Sequence, residues 1–230
     1  MDYFIETLAA ALRLIISADR EIYAIVWTSI WIAVASVGIA SLLGIPLGLL
    51  VAFREFPGKR LLLQGLNTLM ALPTVVVGLV LYGFFTRHGP LGNWGILYTP
   101  LAIVSGQAVL ILPILWNMSI TAAAGADPRL GLTCQSLGAS GLQQGLIFLS
   151  ELRFALMAAV VAGFGRAIGE VGIAMMLGGN IEGFTRTMTT AIALETSKGE
   201  FEFGLALGLL LLLVAFIVNL LLQYFQRLAR

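Results

Sequence analysis

No charged residue interrupts the chain between Ile22 and Phe53. As a helix rising 1.5 Å per residue, this run is about 48 Å long, well beyond the ~30 Å hydrocarbon core of a bilayer. A water-soluble domain has no place for such a segment, because a helix that is apolar all round must be covered all round. The run is also too long to cross upright, so it has to tilt, project or bend, and Gly44-Ile45-Pro46 is the natural place to bend. The composition agrees: 59% of the 230 residues are hydrophobic and 11% are charged, against about 25% charged in soluble domains. The sequence is that of an all-α integral membrane protein.

Further apolar stretches give predicted spans of about 61–86, 96–120, 154–177 and 203–226 besides 22–53, five in all. The charged turn from Arg54 to Arg60 ends the first. Pro73 interrupts the second, Pro100 and Pro113 fall in the third, and Gly178-Gly179-Asn180 terminates the fourth. Residues 3–17 read as a short amphipathic helix, too short and too charged to span, within an N-terminal segment 1–21 that precedes the transmembrane domain 22–230. Five crossings put the termini on opposite sides. Arg54, Lys59, Arg60, Arg129 and Arg153 lie in the 54–60 turn and the 121–153 loop, and Arg227 and Arg230 at the C-terminus. The opposite loops dilute Arg87, Arg186 and Lys198 with Glu182, Glu195, Glu200 and Glu202. Positive residues favour the inner side, so the two richer loops and the C-terminus are expected in the cytoplasm and the N-terminus outside.

Several functions are disfavoured by what is missing. A net charge of +1 without a basic patch argues against nucleic acid as a partner. One cysteine, Cys134, and one histidine, His88, leave no disulfide framework and no multi-cysteine or two-histidine metal site. An intramembrane hydrolase would want catalytic groups within a span. Asp19 and Asp127 fall at or beyond helix ends, His88 in a loop, and no Gly-x-Ser-x-Gly occurs, so no catalytic residue is expected. Asp2 and Glu6 stand where a secretory signal would carry positive charge. There is no Gly-x-x-x-x-Gly-Lys-Ser/Thr loop, so no nucleotide cradle and no cofactor are expected in this chain.

The 121–153 loop is the informative segment, since helix connections in bundles usually run ~2–8 residues. Asp127-Pro128 is a helix start, with Asp capping free amides and Pro at the first helical position. Leu130, Leu132, Leu137 and Leu142 follow, with Gly138 and Gly141 breaking the stretch into short helices along the inner membrane surface. Helices that rest on lipid headgroups usually carry Lys and Arg, yet no charge occurs from Cys134 to Leu149. That favours contact with a protein over contact with lipid.

The stretch CQSLGASGLQQGLIFLSEL resembles the cytoplasmic coupling loop of permease subunits of ATP-binding-cassette importers of the type I, binding-protein-dependent kind. Leu137-Gly138-Ala139-Ser140 match the centre of that family's signature. Leu132-Thr133-Cys134 stand where the family has Glu-Ala-Ala, and the later Leu-Pro is absent near Glu151-Leu152. NTLMALPTVVVGLVLY, YTPLAIVSGQAVLILP and the long string from Gly165 to Gly208 are similar to spans of oxyanion importers, tungstate-uptake permeases above all and molybdate permeases less closely.

The resemblance implies a permease in the plasma or inner membrane of a prokaryote, working by alternating access. It implies a second copy of this chain, two separate ATPase subunits that bind ATP and Mg, an extracytoplasmic substrate-binding protein, and contact with membrane lipid. Cys134, Ser136, Leu137, Gly138, Ala139 and Ser140 would form the ATPase-coupling surface. Gly138 would serve either close approach to the ATPase or simply the end of a helix. Arg166 and Glu170, four apart on one helix face, are the ionisable pair inside a span: an ion pair fixing helices, or a pathway cation for a dianion restrained by a carboxylate. Thr185, Arg186, Thr187, Thr189 and Thr190 would line the outer mouth or meet the binding protein, or else form an exposed amphipathic helix. The competing reading is an ion-coupled secondary transporter, for which only Arg166 and Glu170 could bind a coupling ion.

Overall fold

The computed structural model describes residues 2–17 and 19–228. The elements are α1 (Asp2–Ile16), α2 (Arg20–Phe53), α3 (Lys59–Met70), α4 (Thr74–Phe85), α5 (Pro100–Ala124), α6 (Pro128–Ser136), α7 (Gly141–Glu151), α8 (Arg153–Ile168), α9 (Gly172–Gly178), α10 (Met188–Lys198) and α11 (Phe201–Leu228), with one 3₁₀ turn at Gly92–Trp94. Among the described residues there is no strand. Three helices, α2, α5 and α11, are long and apolar enough to cross a bilayer. Two bent pairs, α3–α4 at 96° and α7–α8 at 72°, raise the number to as many as five. The protein is an all-α membrane protein.

Helix α2 starts where Asp19 accepts hydrogen bonds from the amides of Glu21 (2.9 Å) and Ile22 (3.2 Å). It then runs as one continuous helix of 34 residues, with Gly44-Ile45-Pro46 inside it. The reason is its partner. Helix α5 packs along α2 more extensively than any other pair of elements. A Cβ at Gly48 would sit 2.5 Å from Ser119 Cβ and 2.7 Å from the Trp116 carbonyl, and one at Gly44 would sit 3.1 Å from Leu115 Cβ. The two backbones therefore meet as in other small-residue membrane contacts, and that contact holds α2 helical past the proline. Gly48→Ala is expected to destabilise the protein by about 1–3 kcal/mol through overpacking, read as a lower unfolding midpoint in detergent.

The second predicted span, 61–86, is interrupted at Pro73, as its sequence led us to expect. Pro73 separates two 12-residue helices, each about 18 Å long, and the chain turns 96° between them. Pro100 does not kink a span; it is the first residue of α5, where its missing amide costs nothing. The fourth, 154–177, is also broken: α8 stops at Ile168 and α9 begins at Gly172, ending at Gly178. Helix α1 packs on α11 with Ala11 fully buried, and the Tyr23 hydroxyl donates to the Ile15 carbonyl. The core forms where α2, α5, α8, α10 and α11 meet, around Ile22, Ile111, Leu115, Ala159, Met188 and Leu207. Large apolar side chains such as Leu42, Leu79, Leu212 and Phe216 point outward, the surface expected against lipid.

The two ends of the bundle differ. At one, the end of α2 and the 54–60 turn lie beside α7, where the Phe53 and Phe148 rings approach to 3.9 Å between centroids. At the other, Arg186 reaches Glu21 at the start of α2 (3.1 Å) and Glu182 (3.6 Å). Both loops expected on the inner side therefore share one end.

Candidate functional site

The α6–α7 loop is built half as anchor and half as open surface. Phe148, Leu152 and Leu156 bury against Leu49 of α2 and Ala123 of α5, which fastens α7 to the ends of the two longest-packed helices. By contrast, Leu132 (67% exposed), Leu137 (80%), Leu142 (77%) and Leu146 (58%) are left largely uncovered by the chain. Burying one leucine side chain is worth about 1.5–3 kcal/mol, so these four constitute a substantial unused driving force for association. Between α7 and the end of α2 lies a groove of about 670 Å³, lined by Pro46, Leu50, Phe53, Arg54, Leu142 and Leu146 among others.

Of the sequence-derived set, Ser136, Leu137, Gly138 and Ser140 are exposed and Ala139 half-buried. Cys134 is 4% exposed and packs inward as a small packing residue, so its own side chain offers no docking surface. Gly138 has φ +70°, and the Ala139 amide donates to the Cys134 carbonyl (2.9 Å), closing α6 in the manner of a Schellman motif. A Cβ there would touch nothing within 4 Å, so within the protomer glycine is required by backbone conformation rather than by crowding. Ser140 then starts α7 with a capping box, its amide donating to Gln143 Oε1 (2.8 Å).

The second cluster sits at the break in the fourth span. Arg166, in the last turn of α8, donates through Nη1 to Glu170 Oε2 at 2.7 Å. Glu170 is not on the same helix, as the spacing suggested; it lies between α8 and α9, and its other oxygen accepts the Ile173 amide (3.2 Å) near the start of α9. The carboxylate is 3% exposed and the arginine side chain 38%. Burial without a partner would be costly for such a carboxylate, and both its oxygens are engaged. The guanidinium, in contrast, makes no other hydrogen bond among the described residues and is open on one side. The break at Ala71–Pro73 comes close by: a Cβ at Gly172 would sit 3.0 Å from Thr74 Oγ1 and 3.3 Å from Glu170 Oε1. Two interrupted spans thus meet beside one partly free cation.

The threonine segment behaves differently from its expectation as a pathway, a binding-protein contact or an exposed helix. Thr185, Thr187, Thr189 and Thr190 are 0–5% exposed. Thr185 Oγ1 donates to the Gly178 carbonyl (2.6 Å), Thr187 and Thr190 form the capping box that opens α10, and Thr189 Oγ1 donates to the Glu170 carbonyl (2.8 Å). Their hydroxyls satisfy backbone groups in the buried interior. Arg186 keeps 10% exposure, held between Glu21 and Glu182, beside a groove of about 330 Å³ that also includes Arg20 and Thr28.

Asn67 reads from the sequence as a residue that bonds between helices, and it does so as part of a line of uncharged polar groups. Helix α3 exposes Gln64, Asn67 and Thr68, and Asn117 of α5 donates to Asn67 Oδ1 (3.1 Å) with Thr121 one turn beyond it. The spacing 64, 67, 68 was a readable signal for a polar helix face inside a predicted span.

Comparison with known proteins gives the family. The model of the family of binding-protein-dependent transport system inner membrane components matches residues 44–230. The tungstate uptake system permease protein TupB of Peptoclostridium acidaminophilum is 38% identical over 219 residues, 95% of this chain and 96% of the relative. TupB of Campylobacter jejuni is 40% identical over 227 residues, 99% and 95%. The sulfate transport system permease protein CysW of Escherichia coli is 30% identical over 215 residues, 89% and 74%. A multi-helix membrane subunit with an open apolar loop at one end and matches of this length leads to one conclusion: the chain belongs to the family of binding-protein-dependent transport system inner membrane components.

Proposed function

We propose that this chain is the permease subunit of an ATP-binding-cassette importer for tungstate, seated in the inner or plasma membrane of a prokaryote. The observation that carries the reading is its 38–40% identity to two tungstate-uptake permeases over 95–99% of its length. It hydrolyses nothing itself and pairs with a second copy around a shared pathway, with its N-terminus outside and its C-terminus in the cytoplasm. Two ATPase subunits, which bind ATP and Mg, dock on Ser136 to Ser140 and the outward leucines Leu142 and Leu146. An extracytoplasmic binding protein delivers the anion to the opposite end, meeting exposed Glu21 and Glu182 around Arg186.

Loop movement passes through Phe148 and Leu152 to the ends of α2 and α5, and alternates access at the break between α8 and α9. There the free side of Arg166 attracts the dianion. Glu170 keeps that attraction weak enough for release, and Gln64, Asn67, Thr68, Asn117 and Thr121 offer neutral hydrogen-bonding groups along the route. Competition in cells that depend on this chain tests the substrate. Excess tungstate is expected to abolish uptake of labelled tungstate at concentrations where molybdate competes less and sulfate little. Equal or better competition by molybdate or sulfate would move the assignment to that anion.

A further inference from the structure

A single amide side chain ties the break in the fourth span to the rest of the bundle. Gln107, in the first third of α5, is 3% exposed. Its Nε2 donates to the Ala167 carbonyl (3.2 Å) in the last turn of α8, one residue after Arg166. Its Oε1 lies 3.0 Å from Ser36 Oγ of α2, which shares its proton with the Ile32 carbonyl (2.7 Å). Among the described residues, this is the one side-chain hydrogen bond between α5 and α8. The other side of the break is held by Thr189 on the Glu170 carbonyl, and α10 is itself tied to α2 where the Met188 amide donates to Ser29 Oγ (2.7 Å). Leucine would fill the space of Gln107 without a buried polar group to satisfy, so packing alone does not explain an amide there.

Helix α5 also leads at its far end into the α6–α7 loop, and at Gly44 and Gly48 it packs closely against α2. We propose that Gln107 is the positioning residue through which the α2–α5 pair controls the α8–α9 break: it carries loop movement to Arg166 and Glu170. Without it, α5 slides past α8 and the break no longer follows the loop. The inference rests on the importer reading above and adds the residue that makes its two ends act as one.

The test uses the complete transporter, with ATPase and binding protein, in proteoliposomes, measuring tungstate uptake and ATP hydrolysis together. Wild-type protein must first show ATP-dependent tungstate uptake; its absence would overturn the importer reading itself, before Gln107 is at issue. Gln107→Leu is expected to lower tungstate taken up per ATP at least tenfold while hydrolysis stays within about twofold of wild type. Gln107→Glu supplies a second readout. Its carboxyl can donate to the Ala167 carbonyl only while protonated, so uptake per ATP is expected to rise as the pH is lowered from about 8, unlike wild type.

The titratable groups on the elements packed around α5 are Arg20, Glu21 and Tyr23 on α2, Lys59 and Arg60 on α3, Tyr82 on α4, Arg153 and Arg166 on α8, and Glu170 at the break. The wild-type protein contains all of them and serves as the control. A wild-type ratio in Gln107→Leu would overturn the proposal. If that variant fails to assemble, Gln107→Glu decides alone: a profile parallel to wild type would overturn the proposal equally.

Discussion

Leu137→Asp and Leu142→Asp are each expected to reduce ATP-driven uptake at least tenfold while leaving the unfolding midpoint of the isolated permease within about 1 °C of wild type. Both side chains are more than three-quarters exposed, so the folded chain loses almost no contact when they change. What changes is the far side of an interface. A carboxylate buried against an apolar socket costs several kcal/mol, enough to strip the ATPase from the complex. Copurification of the ATPase with each variant measures this directly. Retained ATPase with normal uptake would show that the outward leucines rest in lipid or water and dock nothing. Phe148→Asp provides the contrast. It is expected to lower stability, because Phe148 belongs to the anchored half of the loop, against Leu49 and Ala123.

Arg166→Met is expected to do the greatest damage to stability of any single change at the break, about 3 kcal/mol. It strands Glu170, a 3%-exposed carboxylate, without its cation. The figure is taken at the low end of the ~3–5 kcal/mol range for broken buried pairs, since the arginine itself is 38% exposed. Glu170→Gln separates stability from transport. A glutamine oxygen can still accept the Ile173 amide that opens α9, so the fold is expected to survive with a loss of about 1 kcal/mol. The guanidinium, freed from its carboxylate, then holds a dianion more tightly. Uptake is expected to saturate at lower substrate concentration and to turn over at least fivefold more slowly. Unchanged transport in Glu170→Gln, with the stability loss confined to Arg166→Met, would leave the pair a purely structural bond.

How much of this was legible in the sequence depends on how local the cause is. The continuous run from Ile22 to Phe53, the Asp127-Pro128 start of α6 and the stop at Gly178 are consequences of neighbours within a turn, and the structure has helix boundaries at all of them. The break after Ile168 was not legible. Arg166 and Glu170 at four-residue spacing look like one helical face. What interrupts that face is remote: Thr189 takes the Glu170 carbonyl from nineteen residues away, and Gln107 takes the Ala167 carbonyl from sixty.

The threonines misled for the same reason. A hydroxyl-rich segment reads as a wet surface, whereas these hydroxyls replace water for backbone groups buried between α2, α9 and α10. Proline at position 46 lies inside a continuous helix, where close packing at Gly44 and Gly48 seats the chain against α5. Gln107 was visible all along as one of two amides, with Asn117, in an otherwise largely apolar span. Only the three-dimensional contact says which carbonyl it serves.

The most direct test is accumulation in sealed proteoliposomes holding this chain with its binding protein, with and without the ATPase subunits. Tungstate is expected to rise above its outside concentration only when both the ATPase and ATP are present, and to do so equally well with every ion gradient collapsed. Uphill accumulation driven by a proton or sodium gradient in vesicles without the ATPase would contradict the importer reading and make the chain an ion-coupled carrier.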